Sequence, residues 1–158
     1  MLKKKICMVG DFSVGKTSLT QKFVNNVFSE KYLTTIGVKI DTAFIDDTKL
    51  IVWDVAGRDS LSPINASYLV GANGIVLVCD GTRPHTVSDL QDIWGVVKKR
   101  IGTVPVVVAL NKADLDDWCI DEADYEYFKQ QGWQTFETSA KDGKNVELLF
   151  KSLVDEIS

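Results

Sequence analysis

Two uninterrupted apolar runs, Ile75-Val76-Leu77-Val78 and Val106-Val107-Val108-Ala109-Leu110, limit the folds open to this chain more than any other feature. Neither alternates polar with apolar residues, so a strand built from either must be covered on both faces. That is the signature of a parallel sheet held between helix layers. Further short β-rich stretches occur at Ile6–Val9, Val38–Ile45, Leu50–Asp54, Ile75–Asp80 and about Trp133–Glu137, with the second run extending over Val104–Leu110. Amphipathic stretches at about 16–25, 60–70, 86–100, 120–131 and 144–157 lie between them. In the last, Val146, Leu149, Phe150, Leu153, Val154 and Ile157 form one apolar stripe at helical spacing. Gly132 is placed to end the fourth helix. The alternation predicts one α/β domain over 1–158: a six-stranded, mostly parallel sheet with helices on both faces and ligands at the carboxyl ends of its strands.

A length of 158 residues, 45% of them hydrophobic and 25% charged, suits one well-buried core. The net charge of −4 argues against a nucleic-acid partner. Cys7, Cys79 and Cys119 show neither disulfide nor metal spacing, as in a reduced, cytoplasmic protein. The apolar stretch after Lys3, Lys4 and Lys5 is too short for a signal peptide, and no run approaches a membrane span. The last residues lack a prenylatable cysteine, so no lipid anchor is expected in this chain, and a monomer is the default.

Four motifs fall at the expected strand ends. Gly10-Asp11-Phe12-Ser13-Val14-Gly15-Lys16-Thr17 matches GxxxxGK[ST], directly after one strand and opening a helix. Its glycines let the loop curl so that backbone N–H groups of Asp11, Ser13, Val14, Gly15 and the helix start through Ser18 surround phosphate oxygens. Lys16 supplies a cation to the β- and γ-phosphates, and the Thr17 hydroxyl can ligate Mg²⁺. Asp54-Val55-Ala56-Gly57 is a DxxG in which Asp54 faces Mg²⁺, through water, and Gly57 leaves a backbone N–H for a γ-phosphate. In Asn111-Lys112-Ala113-Asp114 the Asp114 carboxylate can accept from both N1–H and the exocyclic amine of guanine, a pair that adenine cannot offer. Glu137-Thr138-Ser139-Ala140-Lys141 supplies the Ala140 N–H to guanine O6, with Ser139 and Lys141 shaping that loop.

In this order and on these elements, the motifs resemble the Ras superfamily of small GTPases over nearly the whole chain. Thr35-Ile36-Gly37-Val38, Trp53-Asp54-Val55-Ala56-Gly57 and Tyr68-Leu69-Val70-Gly71-Ala72-Asn73-Gly74-Ile75 resemble the Rab branch. The resemblance implies a GTP/GDP-binding switch with Mg²⁺ that hydrolyses GTP and meets effectors and regulators through two switch segments. It also implies that Thr35 ligates Mg²⁺ in the GTP state and that Phe28 lies against guanine, the other reading of Phe28 being a core aromatic. Lys16, Thr35, Gly57 and Arg58 are then the candidate catalytic residues, and Thr17, Thr35 and Asp54 the metal ligands.

The chain departs from that family where catalysis is decided. Arg58 stands where most members carry the glutamine that orients water, and Asp59 follows it where glutamate is usual. An arginine has no acceptor for that task; it either serves as an arginine finger in cis or is solvated and meets a partner. Phe12 replaces a small residue and crowds the space beside the γ-phosphate, where an external finger, a contribution of about 10³–10⁵-fold in rate, would enter. Slow hydrolysis is expected, and the alternative is a GTP-bound scaffold or binding module with little or none. Val55, in place of threonine, is a packing change. His85 is not expected to be catalytic, and Trp94 is expected in the core.

Overall fold

In a computed structural model of the chain, every residue of β5 (Gly74–Asp80) and of β6 (Val106–Asn111) is buried, as strands covered on both faces must be. The structure describes residues 2–11, 14–24, 30–33, 39–54 and 67–157. Around these two strands lie β1 (Leu2–Gly10), α1 (Lys16–Val24), β2 (Glu30–Leu33), β3 (Lys39–Ile45), β4 (Thr48–Asp54) and a 3-10 turn at Ser67–Leu69. After β5 come α2 (Pro84–Ile101), β6, α3 (Glu122–Gln130), β7 (Gln134–Glu137) and α4 (Val146–Ile157). The sheet order is β2-β3-β4-β1-β5-β6-β7. Only the pairs β2/β3 and β3/β4 are antiparallel; the rest run parallel.

Residue parity within each apolar run decides which layer it feeds. Val76 and Val78 face one cluster with Ile6, Met8, Val107 and Ala109, closed by α1 and α4; there Phe23 stacks on Phe150 with ring centroids 4.0 Å apart. Ile75, Leu77 and Cys79 face the other cluster with Cys7, Val9, Val108 and Leu110, closed by α2 and by Phe128 of α3. Trp94 belongs to this second core and meets Trp133 edge-on at 5.1 Å.

All six strands expected from the sequence are present, and β2 adds a seventh through its pairing with β3. β1 begins four residues earlier than its apolar stretch, at Leu2, because Leu2 to Lys5 pair in register with Thr48 to Ile51 of β4. Lys5 stays in that strand by laying its ammonium 3.9 Å from the centroid of the Trp53 ring and donating to the Val70 carbonyl at 2.7 Å. The β3–β4 hairpin turns through Asp46, whose φ of 51° is a left-handed conformation that aspartate tolerates. α2 starts at Pro84 rather than 86, with proline in its first turn where a missing N–H does no harm. α3 opens on a capping box between Asp121 and Asp124 and is followed by Gly132 with φ 79°. The helix expected over 60–70 lies mostly outside the described residues; Ser67–Leu69 is 3-10. Among the described residues no helix is long and apolar enough to cross a membrane.

The thiols offer a direct test of this layering. Burial pushes the Cys7 thiol up to about 12, against the opposing pull of Lys5, and burial raises Cys79 as well. Cys119 is half-buried at the surface. Titration of the native protein with a chromogenic disulfide at pH 8 is expected to modify Cys119 alone, with Cys7 and Cys79 reacting only after denaturant is added. Rapid reaction of Cys7 or Cys79 in the native state would contradict the doubly covered sheet.

Candidate functional site

The strand register brings the motifs to one edge of the sheet. β1 runs between β4 and β5, so Met8 pairs with Asp54 and Gly10 with Val78, while Asp80 pairs with Asn111 across β5 and β6. Chain leaving β1 at Gly10 re-enters regular structure at Lys16. Just before it, Gly15 has φ 105°, and a Cβ there would run into the Asn111 side-chain amide. Glycine is required at this position both by the backbone and by the approach of β6. Asn111 makes use of that approach: its Nδ2 donates to the Val14 carbonyl at 3.0 Å, and its Oδ1 accepts from Thr138 Oγ1 at 3.1 Å. One buried amide thus ties the loop after β1 to the loops after β6 and β7.

Lys16 is buried, and its ammonium donates to the carbonyls of Gly10 at 3.0 Å and Asp11 at 2.9 Å. Burial holds its pKa below the usual lysine value, and the Asp54 and Asp11 carboxylates work against that shift. The Thr17 hydroxyl donates to Asp54 Oδ2 at 2.5 Å. A hydroxyl and a carboxylate oxygen, side by side at a strand end, are hard donors of the kind Mg²⁺ accepts alongside water and phosphate. Their chemistry fits that ion.

Beside the loop opens a pocket of about 280 Å³. Gly15, just before α1, and Ser18 within it line one side, Asn111, Lys112 and Asp114 line another from the end of β6 and beyond, and Ala140 and Lys141 line it from beyond β7. All seven were expected from the motifs. Leu115, an exposed leucine that the motif reading passed over, completes the wall. Ser139 does more than shape its loop: its Oγ donates to Asp114 Oδ1 at 2.9 Å and accepts from the Asp142 N–H at 3.1 Å. Lys112 takes a left-handed φ of 66°, and its ammonium lies 2.9 Å from Asp80 Oδ2.

Asp80 is the principal residue missed by the sequence reading. Its side chain is 1% exposed. It accepts from the Thr82 N–H at 2.8 Å, the Thr82 hydroxyl at 2.6 Å and Arg83 Nε at 3.0 Å, besides Lys112. Burial alone would raise its pKa; the hydrogen bonds from Thr82 and Lys112 outweigh that and hold it below the usual carboxylate value. Its signature, an acid ending an apolar strand, is the one that marked Asp54. His85 occupies the first turn of α2, with Nε2 3.9 Å from Asp11 Oδ2. Phe12, Ser13, Phe28, Thr35, Gly57 and Arg58 lie outside the described residues.

The comparisons with known proteins agree with this geometry. The sequence model of the Ras family matches residues 5–158. Ras-related protein Rab-3C of Mus musculus is 34% identical over 161 residues, covering 97% of this chain and 70% of its own. Ras-related protein Rab-1 of Theileria annulata is 36% identical over 167 residues, covering 98% and 76%. Ras-related protein Rab-3A of Homo sapiens is 33% identical over 161 residues, covering 97% and 73%. With a family match over residues 5–158 and relatives similar over nearly all of this chain, the chain belongs to the Ras family as a Rab-like, GTP-binding molecular switch and GTP hydrolase.

Proposed function

We propose that this switch holds its guanine nucleotide across the edge formed by the ends of β1, β4, β6 and β7, with Mg²⁺ at Thr17, Asp54 and Thr35, and that it turns GTP over slowly. The observation that carries the proposal is the convergence of three loops on the 280 Å³ pocket through Asn111, Thr138, Ser139 and Asp114. In this reading Asp114 accepts from the base while Ser139 fixes its carboxylate, and the Ala140 N–H meets guanine O6. The Lys16 ammonium exchanges its two carbonyl partners for β- and γ-phosphate oxygens, and the backbone N–H groups of Asp11, Ser13, Val14 and Gly15 surround the phosphates. Bound Mg²⁺ supplies further neutralisation of charge on the phosphoryl oxygens. Thr35 and Gly57 sense the γ-phosphate, and effectors and regulators read the two switch segments. Phe28 flanks the base, and Ser18 and Lys141 border it. The protein works as a cytoplasmic monomer.

Slow turnover is expected from Arg58 and Phe12, since the first has no acceptor to hold water and the second is bulkier than the small residues usual at that position, where an external arginine would enter. These same residues favour a second reading, a GTP-loaded binding module in which loading and release set the state.

Base recognition is tested by Asp114→Asn. Losing two charge-assisted hydrogen bonds of about 1.5–3 kcal/mol each is expected to weaken GDP binding about 10²–10⁴-fold and shift preference towards xanthine nucleotides. Unchanged GDP affinity would remove the base-reading role of Asp114. For the metal, Thr17→Ala is expected to raise the Mg²⁺ concentration needed for tight GDP binding, read by release of a fluorescent GDP analogue across a Mg²⁺ titration. An unaltered titration would dismiss Thr17 as a ligand. Single-turnover hydrolysis of preloaded GTP separates the two functional readings: conversion over minutes to hours marks a switch run by chemistry, and GTP intact after a day marks a binding module. Phe12→Gly combined with Arg58→Gln is expected to hydrolyse GTP faster than the parent; an unchanged or slower rate would point to a finger role for Arg58 or to a rate limit elsewhere.

A further inference from the structure

The segment 112–119 carries Asp114 at the rim of the pocket, where it is exposed, and needs something to hold it there. Two adjacent residues at the end of β5 grip it at both ends. At the near end, the buried Asp80 carboxylate takes the Lys112 ammonium at 2.9 Å while Thr82 and Arg83 occupy its remaining acceptor positions. This charge pair holds Lys112 in a left-handed conformation that costs a non-glycine residue about 1–2 kcal/mol. The Gly81 N–H adds a bond to the Asn111 carbonyl at 2.9 Å. At the far end, Cys119 N–H donates to the Gly81 carbonyl at 2.7 Å. The Trp118 ring covers Gly81 so closely that a Cβ on that residue would collide with it. Trp118 then continues into the margin of the second core beside Tyr125.

We infer that Asp80 and Gly81, with Trp118 as counterpart, are positioning residues for guanine recognition: a two-point brace that fixes segment 112–119 so that Asp114 presents its carboxylate to the base. None of the three belongs to the nucleotide motifs. The inference rests on the proposed base-reading role of Asp114. Asp80 and Gly81 act through the segment and touch no nucleotide. The depressed pKa of Asp80 agrees with a carboxylate that stays ionised for Lys112 at neutral pH. A side chain at position 81 displaces the indole, and a neutral amide at position 80 releases the ammonium. In either case one end of the segment comes free, and the two bonds from Asp114 to the base lose their alignment before any phosphate contact is altered.

The discriminating measurement is the ratio of affinities for GDP and inosine diphosphate, which lacks the exocyclic amine. It is made for the full chain and for Asp80→Asn, Gly81→Val, Trp118→Ala and Trp118→Phe. The first three are expected to release GDP about tenfold faster and to bring the ratio towards one, as misaligning a charge-assisted hydrogen bond would. Trp118→Phe, which keeps an aromatic ring over Gly81, is expected to restore most of the ratio. Trp118 is half-buried on the surface segment, so its variants test the brace even where a buried Asp80→Asn or a crowded Gly81→Val fails to fold. Equal weakening of both nucleotides with an unchanged ratio would reduce the brace to general stability and overturn the inference. Asp114→Asn is measured in parallel. If it collapses the ratio while the Trp118 variants leave it intact, the brace alone fails; if Asp114→Asn leaves the ratio unchanged, the base-reading role fails and the brace with it.

Discussion

The parallel pairing of β1 with β4 on one side and β5 on the other is the constraint from which the rest of the molecule follows. Once β1 is central and buried over Ile6–Gly10, its carboxyl end can open only into a loop at the sheet edge, and a helix must return from that loop to cover one face. The same register places Asp54, two positions short of the level of Gly10, and the pair Asp80 and Asn111 at that edge. The apolar layers on either side supply the low dielectric in which Lys16, Asp54 and Asp80 interact strongly. Core and site are two consequences of a single strand order.

Charge at the edge is arranged so that each buried ion has a partner. Lys16 lies among carbonyls and under the influence of Asp54 and Asp11; Asp80 is ringed by Thr82, Arg83 and Lys112. Burying any one of these groups alone would be strongly unfavourable, so the network is interdependent. Neutral amide and hydroxyl groups carry the links between loops, as Asn111 does to Val14 and Thr138 and as Ser139 does to Asp114. The loop after β1 and the loop after β7 are thereby joined through Asn111 at the end of β6.

Much of this was legible in the residues themselves. The apolar runs located β5 within one residue and β6 within two, and the stripe from Val146 to Ile157 marked α4. Gly10, Asp54 and Asn111 fell on the expected strand ends because each is the buried last residue of its strand and opens a polar segment, and Ser139 to Lys141 follow β7 as expected. The Lys-rich start of β1 and the short β2 were not legible, since neither has an apolar face of its own and both exist through pairing with a neighbouring strand. Asp80 was hidden for a different reason: its significance lies in Lys112, which is remote in sequence and adjacent only across the sheet.

The sequence by itself determined the fold class, the strand ends that carry polar chemistry and the preference for a guanine nucleotide, because periodicity and short motifs are local properties that survive without neighbours. It also contained Phe12 and Arg58, the departures from the family pattern on which the proposal of slow turnover rests. The tertiary structure decided which of those local features touch. It set Asn111 against Val14, Ser139 against Asp114, Asp80 against Lys112 and Trp118 over Gly81. Each of these contacts crosses from one loop or strand to another, and its geometry is fixed by sheet register and by close packing on both faces, which no stretch of residues encodes alone.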